Sequence, residues 1–151
     1  MLSTDELNFI LENNAVTRRL FLGTYPSCLV PETSKRTYCF ISNTDDHLDP
    51  GVHWIAWFVR DGKVTFFDSF GRSYKHVDFP KYYKLFANRF DEINFSTAQI
   101  QSKDSWTCGY FCVHFLYSQC LGVDFENFLD QYSSDFDQND CKVLDFVDSI
   151  L

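Results

Sequence analysis

The sequence predicts a single α+β domain, and three observations carry that expectation. Two aromatic and β-branched runs, "VHWIAWFV" and "KVTFFDSFG", are joined across Asp61-Gly62, a dipeptide that favours a two-residue hairpin turn. Apolar residues recur at helical spacing near both ends of the chain and again from Cys108 onward. No repeat, low-complexity tract or linker divides the 151 residues, a length that suits one domain with a substantial core.

Taken in order, Ser3 and Glu6 form a capping box, with Leu2 and Leu7 at the flanking staple positions. Leu7, Ile10 and Leu11 then give one apolar face to a short first helix. Residues 20–50 are loop-rich, holding Pro26, Pro31 and Pro50, with one strand expected at Tyr38–Ser42. The hairpin follows. Beyond Gly71 a helix is expected around Pro80–Asn88 and a short strand over Ile93–Ala98. The helix from Cys108 runs to about Cys120 and stops at Leu121-Gly122, where glycine supplies the terminating conformation. A last helix over Gln138–Leu151 presents Val143, Leu144, Val147 and Ile150 on its apolar side.

Composition narrows the class. With 45% hydrophobic and 19% aromatic residues, including seventeen Phe, the chain is globular and its core is filled by rings. Six cysteines do not read as a disulfide framework, because Cys108 and Cys112 lie one turn apart on a helix and small secreted frameworks are richer in cysteine. All six are expected to be reduced, in an intracellular setting. "MLSTDELNF" lacks a basic n-region and a long apolar stretch, so it does not read as a signal peptide. No segment reaches the roughly 18 apolar residues of a membrane span. Asn94-Phe95-Ser96 fits a glycosylation sequon by chance only. The net charge of −8 gives no global attraction to nucleic acid.

Chemistry concentrates around "DSWTCGYFCVHFL", residues 104–116. A nucleophilic cysteine works as its thiolate, and a helix N-terminus favours that charge. Cys108 stands where the helix begins. Gly109 is expected to leave room for a substrate backbone, and Cys112, one turn deeper, is expected to pack. A Cys-Gly at a helix start is by itself more simply a packing feature.

Four histidines compete to be its base. His114 lies ~600° around the helix from Cys108 and points away. His47 and His76 fall in loops without an orienting carboxylate. His53 differs, because a two-residue turn at Asp61-Gly62 makes Arg60 face Lys63 and Ile55 face Asp68. His53 then shares a sheet face with Asp68 as a diagonal neighbour, within side-chain reach. A one-residue slip would separate them. A carboxylate there fixes the imidazole tautomer and stabilises its protonated form. The Cys108 amide offers one oxyanion donor, and Gln99 or Gln101 a second, the pattern leaving the two glutamines even.

No metal site is expected. Cys108, Cys112 and His114 do not share a helical face, and no second ligand pair follows. "DFDQND" at 135–140 starts like a calcium loop, but Asp140 stands at the required glycine and Phe146 at the bidentate glutamate.

With these parts assembled, the chain resembles the adenain family of adenovirus-type cysteine endopeptidases and, more distantly, the Ulp/SENP proteases that act on ubiquitin-like proteins. The resembling segments are "FLGTY" at 21–25, "GVHW" at 51–54, "FFDSFG" at 66–71 and "QSKDSWTCGYFC" at 101–112. The resemblance implies a papain-like fold with permuted chain order, a central mixed or antiparallel sheet flanked by helices, as one protease domain over residues 1–151. It implies a triad of Cys108, His53 and Asp68, and it selects Gln101 over Gln99 as the oxyanion glutamine. It further implies cleavage at Gly-Gly or Gly-X-Gly sites of viral precursor proteins or of ubiquitin-like proteins, in a host nucleus or a virion.

Departures from the family pattern matter too. Adenain usually carries Glu where Asp68 stands, and Asp is the Ulp/SENP choice. The hairpin is two residues shorter, which preserves its facing parity, and adenain's insertion after the nucleophile helix and its C-terminal tail have no counterpart in the 151 residues. Adenain takes a disulfide-linked peptide and DNA as activators. No cysteine lies between Cys39 and Cys108 to tether such a peptide, and the acidic balance disfavours DNA. Activity is expected without a cofactor, from a monomer with no membrane association. The rival readings are a ubiquitin-like-protein isopeptidase, a YopJ-like acyltransferase and an inert binding module.

Overall fold

The computed structural model describes residues 1–44 and 53–151. His47, one of the four histidines weighed above, lies outside the described residues, as do Gly51 and Val52. The elements are α1 (Thr4–Glu12), β1 (Phe21–Tyr25), β2 (Thr37–Asn43), β3 (Trp54–Arg60), β4 (Lys63–Phe67), α2 (Lys81–Ala87), β5 (Glu92–Phe95), α3 (Cys108–Cys120), α4 (Phe125–Leu129) and α5 (Phe136–Ile150). The five strands form one mixed sheet in the order β1-β2-β3-β4-β5. Its inner pairs β2–β3 and β3–β4 are antiparallel, and its outer pairs β1–β2 and β4–β5 are parallel. This is the α+β class with a mixed sheet flanked by helices.

Both faces of the sheet are covered, so its central strands lack the polar alternation of a half-exposed sheet. On one face Cys39, Ile41, Trp54, Ala56, Phe58 and Phe67 pack with α1, α3, α4 and α5. On the other, Phe40, Ile55, Trp57, Val59, Val64 and Phe66 pack with Tyr83 and Phe86 of α2. Rings meet in both layers: Phe67 stacks on Phe115 at 4.8 Å, and Trp57 meets Phe86 edge-on at 5.1 Å. Such pairs contribute ~0.5–1.5 kcal/mol each beyond the area they bury.

The hairpin forms as its turn dictates. Asp61 and Gly62 both adopt positive φ (47° and 82°), the two-residue turn matched to strand twist, and Arg60 pairs with Lys63. The Ser3–Glu6 capping box is made in both directions, and Leu2 and Leu7 are buried beside it. Helix α3 begins at Cys108 and ends before Gly122, whose φ is +81°.

Four elements differ from the sequence reading. β1 lies within the stretch expected to be loop; it is a short edge strand with a register irregularity between Phe21 and Thr24, around Gly23. α4 has five residues, too few for a periodic signal, and is held by the Asp124 cap and buried Phe125 and Phe128. β5 stops at Phe95 rather than Ala98, and α5 starts at Phe136 because Asp135, not a later residue, accepts the N-terminal amide of Gln138.

Candidate active site

His53 immediately precedes β3 and Asp68 immediately follows β4, so the antiparallel hairpin delivers both to the same end of the sheet. His53 Nε2 and Asp68 Oδ1 are 2.6 Å apart, and both residues are buried. The diagonal contact expected from the turn is made. Asp68 is saturated: Oδ1 also accepts the Phe70 amide at 3.1 Å, while Oδ2 accepts the Arg72 amide at 3.2 Å and Arg72 Nε at 2.8 Å. Burial pushes the Asp68 carboxyl up, but His53 and then Arg72 outweigh it, and its pKa is lowered. Burial likewise opposes charge on His53, yet the Asp68 hydrogen bond and the neighbouring Cys108 outweigh it and raise its pKa. Phe70 stacks on the imidazole at 4.2 Å between centroids and 13° between planes, which fixes the ring's plane as Asp68 fixes its rotation.

Cys108 is the first residue of α3 and is buried. Its amide, at the first helical position, has no carbonyl one turn earlier to bind. Cys108 and His53 line one cleft of about 320 Å³, bounded by Thr44, Phe70, Arg72, Phe79, Lys103 and Ser105. With Nε2 occupied by Asp68, the nitrogen left for Cys108 is Nδ1, which is buried and has no partner in hydrogen-bond geometry. Cys108 is near enough to the ring to favour its charged form.

The α3 N-terminus is anchored from several directions. The Trp54 indole donates to the Leu2 carbonyl at 3.0 Å, on the sheet face opposite His53. Gly109 sits against that indole: a Cβ there would lie 3.2 Å from Trp54 and 3.3 Å from Leu2. The space at Gly109 is therefore filled by the protein's own core and not by a substrate backbone, a correction to the sequence reading. Thr107, the residue before Cys108, donates to Asp140 of α5 at 2.7 Å. Asn139, beside it, donates to the Ile100 carbonyl at 2.9 Å. α5 thus holds the segments carrying both Gln101 and Cys108.

The two glutamines separate clearly. Gln101 is fully buried; its Oε1 accepts the Ser69 hydroxyl and its Nε2 donates to the Ser105 carbonyl at 3.0 Å. Gln99 instead spends its side-chain amide on the Gln101 carbonyl at 2.9 Å. The remaining histidines take other places. His76 accepts the Asp78 amide in a loop. His114, on α3, is buried against Tyr132 and Phe146, where burial first and Lys142 second lower its pKa to about 4. Sequence reasoning missed Arg72 and Ser69; the first stands four residues after Asp68 and the second directly after it, which is the only local signal either carries.

The chain matches no family model. It is 34% identical over 128 residues to a protein named "Protease" from Bovine adenovirus B serotype 3, covering 76% of this chain and 62% of that one. A second "Protease", from Snake adenovirus serotype 1, is 31% identical over 113 residues, covering 64% and 55%. The chain is similar to these adenovirus proteases. It spans about six-tenths of the length of the curated relatives it matches. Among solved structures, the crystal structure of the ASFV pS273R protease superposes on this chain with a TM-score of 0.54 at 14% identity, covering 90% of this chain and 65% of that one. The two chains accordingly share a fold over most of this one.

Proposed function

We propose that this chain is a cysteine endopeptidase of one domain, with Cys108 as nucleophile, His53 as base and acid, Asp68 as the group that orients His53, and Gln101 with the Cys108 amide as oxyanion donors. One observation carries the reading: a buried imidazole has one nitrogen bonded to a carboxylate, and the other left free beside a cysteine at a helix N-terminus, in a single cleft.

The chemistry follows from those positions. His53 Nδ1 takes the Cys108 thiol proton, and the thiolate attacks the scissile carbonyl carbon. The carbonyl oxygen gains the negative charge, which the Cys108 amide and Gln101 Nε2 receive. As the tetrahedral species collapses, the C–N bond breaks and the imidazolium delivers its proton to the leaving amine, leaving a thioester. Water, deprotonated by the same nitrogen, then releases the acid and restores the thiol. Asp68 keeps the proton on Nε2 throughout, so that Nδ1 stays available.

By resemblance, the substrates are proteins with Gly-Gly or Gly-X-Gly sites, viral precursors before ubiquitin-like conjugates, met in a host nucleus or virion; departing from adenain, with no cysteine between Cys39 and Cys108 and an acidic balance, the enzyme works as a monomer without peptide, DNA or metal. Purified protein mixed with a peptide library and ubiquitin-like fusions tests this: cleavage after Gly-Gly that disappears in Cys108→Ala supports it. Cleavage that starts only when DNA or a basic peptide is added contradicts the cofactor-free reading. Acetyl transfer from acetyl-coenzyme A, or no reaction with a Gly-Gly vinyl sulfone, contradicts the protease itself.

A further inference from the structure

The turn after β4 engages more of the site than its carboxylate. We propose that Ser69 is a positioning residue that orients the Gln101 amide toward the oxyanion, an inference that rests on reading Gln101 as an oxyanion donor. Ser69 is almost wholly buried, and its hydroxyl donates to Gln101 Oε1. Its carbonyl accepts the amides of Ile100 at 3.0 Å and Gln101 at 3.1 Å. The residue therefore grips the glutamine by both backbone and side chain.

A hydroxyl has one hydrogen to give. Spent on Oε1, it pins the carbonyl end of the amide. The other end meets the Ser105 carbonyl, which can only accept. Exchanging the two ends would set acceptor against acceptor at Ser105. Held this way, the amide presents nitrogen on the Ser105 side, and Ser105 lines the cleft that holds Cys108. Of the two Nε2 hydrogens one is taken by Ser105, and the second is the one to meet developing charge. Without the Ser69 hydroxyl, only Ser105 would oppose rotation of the amide, and Oε1 would be buried without a partner.

The placement also links the two halves of the machinery. Asp68 and Ser69 are adjacent in one turn, closed by the Gly71 amide on the Asp68 carbonyl at 2.9 Å. Gly71 has φ +77°, and a Cβ there would lie 2.7 Å from the Gln99 nitrogen. The absent side chain lets segment 97–99 lie against the turn. A single tight turn thus holds the carboxylate behind His53 and the amide above the reacting carbonyl in one fixed relation. Ser69 acts through Gln101 and does not touch the substrate.

The test compares wild type, Ser69→Ala, Ser69→Thr and Gln101→Ala in three measurements: cleavage of a fluorogenic Gly-Gly peptide, inhibition by a Gly-Gly peptide aldehyde, and alkylation of Cys108 by iodoacetamide. The aldehyde adduct places an oxygen at the oxyanion position, and alkylation uses the Cys108–His53 pair without one. Ser69→Ala should lower kcat about tenfold with KM within about twofold, less than the ~10²–10³ expected for deleting a donor outright as in Gln101→Ala. Aldehyde affinity should fall by the same factor, alkylation should stay within about twofold of wild type, and Ser69→Thr, which keeps the hydroxyl, should recover most of the loss. If Gln101→Ala is impaired while Ser69→Ala retains full kcat and aldehyde affinity, Ser69 orients nothing. If Ser69→Ala and Ser69→Thr lose kcat, alkylation rate and melting temperature together, the residue only packs, and the inference is wrong. If Gln101→Ala itself turns over normally, the oxyanion assignment fails first and takes this inference with it.

Discussion

Replacing Asp68 with Asn changes one atom and should invert the tautomer of His53. The carboxylate now accepts four donors: His53 Nε2 and the Phe70 amide at Oδ1, and the Arg72 amide and Nε at Oδ2. An asparagine has a single oxygen to share between those two pairs. Both Arg72 donors are fixed as N–H groups, whereas His53 can move its proton from Nε2 to Nδ1 and become the acceptor. The favoured arrangement puts the asparagine oxygen on Arg72 and its NH₂ toward His53 Nε2. Nδ1 then carries the proton and no longer serves as base. Wrong-tautomer variants of Ser-His-Asp triads lose about 10⁴-fold in kcat; with the Phe70 amide opposing this orientation, about 10³–10⁴ is expected here, or ~4–5.5 kcal/mol in transition-state energy. KM should change little. Steady-state cleavage of a Gly-Gly peptide gives the rate, and ¹⁵N chemical shifts of His53 give the tautomer. Retained turnover above about a tenth of wild type, or a resting Nε2–H tautomer in the variant, would refute the reasoning.

The other predictions follow from neighbouring contacts. Arg72→Gln removes a cation that holds the Asp68 carboxyl down, so the acid limb of the kcat/KM profile should move to higher pH; an unmoved limb contradicts the coupling. Folding lowers the His114 pKa from 6.5 to about 4, so its contribution is complete above pH 6.5 and is lost as pH falls toward 4. Urea titrations should show wild type losing up to about 3 kcal/mol more than His114→Gln over that window, and equal losses contradict it. Ser3→Ala breaks the capping box and should cost about 1 kcal/mol in urea unfolding. Gly71→Ala forces a side chain into left-handed backbone and against Gln99; it should cost at least ~1–2 kcal/mol and lower kcat, and a neutral result in both would contradict the close approach.

Much of this architecture was readable where short-range rules act alone. Asp61-Gly62 sets a two-residue turn, the turn sets the register, and the register puts His53 beside Asp68; each step needs only residues within one hairpin. The ends of α1 and α3 follow from Ser3, Glu6 and Gly122 in the same way. What was not readable depends on partners far away in the chain. β1 exists because β2 offers it an edge. Gly109 reads as open space until Leu2 and Trp54, distant in sequence, are seen to fill it. Gln99 and Gln101 share spacing and polarity, and they part only because Ser69 and Ser105 enclose one of them. Arg72, which no motif singles out, completes the Asp68 carboxylate.

The central claim is that Cys108 is a nucleophile activated by His53, and labelling addresses it most directly. The native protein is treated with one equivalent of a Gly-Gly vinyl sulfone, digested and mapped by mass spectrometry, alongside His53→Ala. The account predicts one adduct per chain on Cys108 in the wild type and almost none in the variant. An adduct on the exposed Cys141 instead, or equal labelling of Cys108 with and without His53, would contradict it.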